Sequence, residues 1–103
     1  MINSVILMGR LTKTPELRST EEGTAVTTFR IAVDRRFASA DGSRETDFFN
    51  VVAWRQTAML VSDHFEKGNM IAVRGYLQSR NYTDHNGNKR TAVEVIAEEI
   101  GFC

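Results

Sequence analysis

Nine residues near the middle of the chain, Asp47-Phe48-Phe49-Asn50-Val51-Val52-Ala53-Trp54-Arg55, constrain the fold more than any other stretch. They are rich in β-branched and aromatic side chains, which fit a pleated, half-buried surface, so the composition predicts a strand. Successive side chains of a strand point to opposite faces. One face then carries Phe48, Asn50, Val52 and Trp54. The other carries Phe49, Val51 and Ala53, closed by Asp47 and Arg55. The second set suits the core of a sheet or barrel. The first puts two large rings, with a polar amide between them, on the face away from it. Rings on an outer face beside a terminal arginine suit stacking on the bases of an unpaired nucleic acid strand. The competing reading buries both faces and makes the rings ordinary core, because aromatics are enriched in strands for packing alone.

At 103 residues the chain has the size of one domain, spanning 1–103, with a core of its own. Its formal net charge is zero, so no bulk positive field advertises an anionic partner. Phosphate contacts would have to come from local clusters of cations. Ten of the thirteen cations are arginine, whose planar fork stacks and grips phosphate where lysine offers a point charge. The one cysteine, Cys103, has no partner in the chain, so no intrachain disulfide supports the fold, which fits a reducing cytosol. The first residues lack the pattern of a signal peptide, and no stretch reaches transmembrane length. A cytoplasmic, nucleoid-associated location without a membrane partner is the expectation.

Residues 2–11 read as a first strand that is apolar on both faces, with Val5, Leu7, Gly9 and Leu11 on one and Ile6 and Met8 on the other. Burial on both faces implies a subunit interface as well as a core. Gly9 permits the sharp bend or bulge that a barrel needs. Arg10 and Lys13 follow on the exposed exit, Thr14-Pro15 breaks the strand and Glu21-Glu22-Gly23 is a turn signal. Residues 24–36 alternate as a second strand, with Ala25, Phe29, Ile31 and Val33 inward and Thr28, Arg30 and Asp34 outward; it ends in Arg35-Arg36-Phe37. A loop over 38–45, centred on Asp41-Gly42, makes a hairpin with the central stretch. Residues 56–67 are the one good helix pattern, with Ala58, Val61 and Phe65 at helical spacing, Thr57 as N-cap, and Lys67-Gly68 at the end. Residues 70–80 read as a fourth strand, Ile71, Val73 and Leu77 inward and Arg74, Tyr76, Gln78 and Arg80 outward. Asn86-Gly87 signals a hairpin into a last strand over 91–102, with Glu94, Glu98 and Glu99 at polar positions. One helix between the third and fourth of five strands is the order of an OB-fold, an all-β, five-stranded Greek-key barrel.

Catalytic patterns are weak. His64 and His85 lack a nearby Cys or acid at metal-ligand spacing and read as solvated. Asp34, Asp41 and Asp47 flank a hairpin loop, where acids are ordinary turn residues, so a metal-dependent nuclease is a minor alternative. Gly68, Gly75 and Gly87 have the wrong spacing for a phosphate-cradling loop, and Cys103 has no base beside it. No enzymatic activity, cofactor or metal is expected.

Binding is better supported. Phe37, Phe48, Trp54 and Tyr82 each fall at a strand end, an outer face or a hairpin, with cations nearby in sequence: Arg35-Arg36, Arg55, and Arg80 with Lys89. Rings that stack on any base, interleaved with cations that track phosphates, are what an unpaired strand needs. A protein-interaction module would not need cations beside its rings. Arg18, Arg30 and Arg44 read as solvated.

The ordered set Val5-Ile6-Leu7-Met8-Gly9-Arg10-Leu11-Thr12, the central stretch to Trp54, Lys67-Gly68-Asn69, Arg74-Gly75-Tyr76-Leu77 and Tyr82-Thr83-Asp84 resembles the bacterial single-stranded-DNA-binding protein family. The resemblance runs across essentially the whole chain. It implies an OB fold, a homotetramer, no enzymatic activity, and sequence-independent binding that protects single-stranded DNA in replication, recombination and repair. Its base-stacking positions fall on Phe37, Phe48, Trp54 and Tyr82, and its basic positions include Arg80 and Lys67; Arg10 lies within the first matching motif. Three of the four stacking positions are Phe or Tyr where the family often has Trp. Asn50 and Gln56 are neutral where some members carry cations, for which Arg35-Arg36 and Arg55 can compensate. The family usually continues into a flexible linker and an acidic tail that recruits replication and repair proteins. The chain stops at Gly101-Phe102-Cys103, so a tail-less or truncated member is expected and tail-dependent partners are in doubt. An OB-fold RNA-binding module is the alternative that uses the same physics.

Overall fold

The computed structural model describes all 103 residues. The chain forms β1 (Val5–Leu11), a two-residue β2 (Arg18–Ser19), β3 (Ala25–Asp34), β4 (Thr46–Trp54), α1 (Arg55–His64), β5 (Met70–Thr83) and β6 (Lys89–Phe102). The five long strands and one helix come in the expected order; β2 is an addition on the edge of β3. The strands neighbour one another as β1-β5-β6-β4-β3, and β3 pairs back to β1 through Arg10↔Ala32 and Leu11↔Ile31. That last pairing closes the ring. Every ladder is antiparallel except β4–β6. An all-β ring with one helix between the third and fourth long strands is an OB-fold.

Closure depends on a missing side chain. A Cβ on Gly9 would sit 2.7 Å from the Ala32 carbonyl oxygen and 2.9 Å from Val33 Cγ2. Gly9 thus serves a close approach of β1 to β3 and not a bulge. The bulge lies between β5 and β6, where Arg74 pairs with Glu99 but Gly75 pairs with Ala97, leaving Glu98 extra. A Cβ on Gly75 would overlap the Ile96 carbonyl oxygen.

The interior is built from the inward positions read from the sequence. Phe29, Ile31, Val51, Ala53, Ile71 and Val73 are all buried, with Leu11 and Val95 beside them. Alternation in β3 and β4 therefore settles which face of the central stretch is core: Phe49, Val51 and Ala53 point in. The helix covers one end of the barrel with Ala58 and Val61, both fully buried. It starts at Arg55 and ends at His64, so the expected bounds of 56–67 are corrected. Thr57 lies inside the helix and does not cap it; no side chain caps the N-terminus. Arg55 takes φ 56, which turns the chain from β4 straight into α1 without a polar linker. Such a left-handed non-glycine residue costs of order 1 kcal/mol. At the other end Phe65 becomes extended so that its ring can be buried, and Lys67-Gly68 falls in the turn beyond, where Gly68 N–H donates to Leu11 O at 2.9 Å.

Four strand limits also move. β1 begins at Val5, because the Asn3 side chain takes over the pairing of that stretch: its amide donates to Leu77 O at 2.8 Å and its oxygen accepts from Leu77 N–H at 2.9 Å. β3 stops at Asp34, so Arg35-Arg36-Phe37 belong to the following loop. β5 and β6 extend past the barrel to Thr83 and from Lys89, forming a two-stranded arm. Leu77 pairs with core residue Val95 but is itself exposed, because the barrel ends there. The tip is a loop around Asp84, whose Oδ1 accepts from the N–H groups of Asn86 and Asn88 at 3.0 and 2.9 Å.

Two substitutions test this packing. Gly9→Ala forces β1 away from β3 and should lower stability by about 1–3 kcal/mol in chemical denaturation, as overpacking does. Thr27 is fully buried on β3 and its hydroxyl has no partner. Thr27→Val keeps the shape and removes that unmet polar group, so it should raise stability by about 1 kcal/mol.

Candidate nucleic-acid interface

Register carries one outer face across four strands. Val52 on β4 pairs with Thr28 on β3 and with Ile96 on β6. Ile96 pairs with Tyr76 on β5, and two-residue steps along the arm bring Gln78, Arg80 and Tyr82 onto the same face. Phe48, Asn50 and Trp54 share that face with Val52. The rings on it are not core. Phe48 is 50 % exposed, Trp54 41 %, Tyr82 41 %, and Phe37, in the loop after β3, is 85 % exposed. Val52 is the exception: it is buried and forms the floor of a groove lined by Arg18, Thr28, Trp54, Arg80 and Glu94.

Cations sit on two of the rings. The Arg30 guanidinium lies 4.5 Å from the Phe48 centroid and that of Arg80 lies 5.1 Å from Tyr82. These distances are within cation–π range. Arg80 Nε also donates to Glu94 Oε1 at 3.3 Å, and Arg18 Nη2 donates to Thr28 Oγ1 at 3.2 Å. A second hollow on the barrel is lined by Thr12, Lys13, Thr14, Arg30, Asn50 and Lys67, with no acid among them. It shares Thr28 and adjoins the first groove. Arg36 is exposed beside Phe37, and Arg55 lies beside Trp54 in a hollow that Glu21 and Glu22 also line.

Three of the basic residues singled out from sequence are placed differently. Arg35 is held by Asp47 at 3.0 and 3.1 Å and by Glu45 at 2.7 Å, so it staples the base of the loop. Arg10 donates to Gly68 O at 2.7 Å, on the outer face of β1 with Ile6 and Met8. Lys89 pairs with Thr83 and lies on the reverse face of the arm from Tyr82; Arg90 stands opposite the ring instead, in an ion pair with Asp84 at 3.0 Å. Conversely, Arg18 and Arg30, read as solvated, line the site. For Arg30 the signal was present: it is an outward position of β3, and pairing with Asn50 brings it between Phe48 and the Asn50 hollow. Arg18 had no such signal, because β2 is too short to show a period.

No three His, Cys, Asp or Glu side chains gather where they could hold a metal ion. Asp34 accepts from Thr46 Oγ1 at 2.7 Å, Asp47 is tied to Arg35, and Asp41 is tied to Ser39 and Ser43. The His64 ring packs edge-on against Phe102.

Four groups are electrostatically perturbed: Arg35, Asp41 and Asp84 in loops, and Asp47 at the start of β4. The Asp41 carboxyl is held down to about 2, first by the Ser43 hydroxyl, then by the Ser43 N–H and the Ser39 hydroxyl. Arg35 lowers Asp47 by its hydrogen bond and is itself raised by it; the hydrogen bond from Arg90 lowers Asp84, helped by the Asn88 N–H. A carboxyl lowered in the folded state lends order above its ordinary value of 3.8, and that order is lost as the pH falls toward about 2. The loop carrying Phe37 should therefore keep its structure down to about pH 4 and loosen between there and about pH 2. The Ser43 amide resonance, which reports its bond to Asp41 Oδ1 at 3.0 Å, is the probe.

Comparison with known proteins agrees with this geometry. A family model described as "Single-strand binding protein family" matches residues 2–103. Single-stranded DNA-binding protein 2 of Listeria monocytogenes is 48% identical over 102 residues, covering 99% of this chain and 64% of that protein. The Single-stranded DNA-binding protein of Bacillus cereus is 49% identical, over 99% of this chain and 60% of its own length. Single-stranded DNA-binding protein A of Bacillus subtilis is 48% identical, over 99% and 59%. The chain thus spans about three-fifths of the length of these relatives. A barrel of this topology, with its rings turned outward among arginines and a match running over all but the first residue, belongs to the single-strand binding protein family.

Proposed function

We propose that the chain binds single-stranded DNA without a required sequence, and that it binds rather than catalyses. The observation that carries this is one outer sheet face on which Phe48, Trp54 and Tyr82 stay exposed while Arg30 and Arg80 lie against two of the rings. Rings take successive bases of any identity at ~1–3 kcal/mol each, and the cations beside them take the phosphates. Phe37 extends the row from its loop. Arg18, Arg36, Arg55, Lys67 and Arg90 supply further positive charge, Arg35, Arg10 and Lys89 less directly. The names of the relatives favour DNA over RNA as the strand bound. A role in protecting exposed strands during replication, recombination and repair follows from that binding.

Self-association belongs to the same reading. On β1, Ile6 and Met8 are exposed, and of that strand only Arg10 and Leu11 pair with β3, so one edge of Val5 to Gly9 has no partner. An apolar face beside an open strand edge suits a second copy, and closed symmetric assembly is the common outcome. We infer a homotetramer around which the strand wraps. No helix is long and apolar enough to cross a membrane.

Trp54→Ala should weaken binding of a labelled oligo-dT at least tenfold and cost less than the ~3–5 kcal/mol of truncating a buried ring. A large loss of melting temperature with unchanged affinity would refute the stacking role. Affinity should fall with salt even at zero net charge, with a log–log slope of about −0.7 for each phosphate neutralised. Competition between DNA and RNA strands of equal length separates the two partners. Met8→Lys would place a charge in the apolar patch and should reduce the assembly mass measured by light scattering; a monomeric mass for the unsubstituted protein would remove the tetramer.

A further inference from the structure

The groove at Trp54 forks. It shares Thr20 and Trp54 with the hollow of Arg55, Glu21 and Glu22, and it shares Thr28 with the hollow of Lys13, Arg30 and Lys67. A strand with one base on Trp54 has two ways to carry its next phosphates. The two exits differ in charge. The first sets one cation against two carboxylates. The second has three cations and no carboxylate. None of these charged side chains is in an ion pair, so each acts on whatever enters. The acids are also held in place. Trp54 pairs with Val26, and Val26 with Arg18 on β2, so the turn that follows β2 stands beside the indole. Gly23 N–H donates to Thr20 O and Thr20 N–H to Thr24 O, both at 2.9 Å, which closes that turn around Glu21 and Glu22.

We propose that the Glu21-Glu22 turn closes one exit of the groove to phosphate and so sends the backbone of the strand from Trp54 into the hollow of Lys13, Arg30 and Lys67. The inference rests on the single-stranded DNA reading above and adds a path to it. A cleft lined by one sign of charge focuses its field on an entering ion. The cationic hollow therefore draws phosphate in. It also offers a neutral donor: Thr14 Oγ1 accepts from Lys67 N–H at 3.0 Å, which leaves its own proton free. At the other exit the charge that Arg55 brings to the face is offset by the two acids. Their repulsion needs no contact, because it reaches over the screening length of about 10 Å at 0.1 M salt. Stacking on Trp54 is indifferent to base identity, so the turn fixes the route of the backbone and not the sequence bound.

The test follows labelled oligo-dT by anisotropy on the full chain over a salt series. Glu21→Gln combined with Glu22→Gln should tighten binding about threefold or more at ~0.1 M salt, and the gain should vanish near ~1 M, where screening shortens to about 3 Å. The side chains of Glu21 and Glu22 make no ion pair and the turn is closed by other groups, so the fold should be unchanged. Asp63→Asn removes one exposed acid from α1, outside the groove and both hollows. An equal gain per charge from Asp63→Asn, or no gain from the turn, overturns the proposal. A double-mutant cycle tests the route itself. Lys13→Gln should lower the log–log salt slope by about 0.7 with the acids in place. The affinity lost by Arg55→Gln should grow about threefold once both acids are replaced, because the second exit is then open. A loss from Arg55→Gln that is the same in both backgrounds, or an unchanged slope in Lys13→Gln, also overturns it. Failure of the unsubstituted protein to bind any oligomer would overturn the function itself, a result distinct from binding by another path.

Discussion

The meeting of β1 and β3 is what the rest of the structure depends on. Where the backbones of Gly9 and Ala32 approach, no side chain intervenes, and the pairs Arg10↔Ala32 and Leu11↔Ile31 close five strands into a ring. Closure joins the Arg10–Leu11 end of β1 to β3, buries Leu11, Ile31 and Ile71, and leaves the end that α1 covers with Ala58 and Val61. A closed ring has only one inside. The large rings at outward positions of β4 and of the arm cannot be accommodated there, so they face solvent on a curved surface continuous across β3, β4, β6 and β5. The stability of the barrel and the exposure of these rings are therefore two results of one geometric constraint.

Charge on this surface is sorted rather than summed. Net charge is zero, yet several acids are already committed to arginines: Glu45 and Asp47 to Arg35, Asp84 to Arg90, Glu94 to Arg80, Glu99 to Arg74. Exposed pairs of this kind contribute little to stability. Their effect is on position. Arg35 ties the base of the loop that displays Phe37, and Glu94 holds Arg80 across Tyr82. Cations without acid partners, such as Lys13, Arg30 and Lys67, share one hollow where no carboxylate opposes an approaching phosphate.

Strands with clear alternation were legible from the residues alone. The faces of β3 and β4, the inward set Phe29, Ile31, Val51 and Ala53, and the outward placement of Phe48 and Trp54 all follow from a period of two. What was not legible depended on contacts distant in sequence. The helix ends moved because Arg55 adopts a left-handed turn and because burial of the Phe65 ring stops the helix before Lys67. Leu77 looked like core because a local period cannot reveal where a barrel ends. Arg35 looked free because its partners Glu45 and Asp47 lie across a hairpin, and Lys89 looked close to Tyr82 because closeness in sequence ignores which side of an arm a residue takes. Arg30 was passed over for the opposite reason: only the β3–β4 register brings it onto the Phe48 ring.

Trp54 is the only tryptophan in the chain, so its emission reports the central claim without labels. Titration with oligo-dT at low salt should quench that emission in a saturable way, and added salt should restore it, because a base stacked on the indole is held in place by phosphate contacts that salt weakens. Emission that stays constant while a labelled oligo-dT is seen by anisotropy to bind would mean that the strand does not cross the outer face of β4, and would contradict the account.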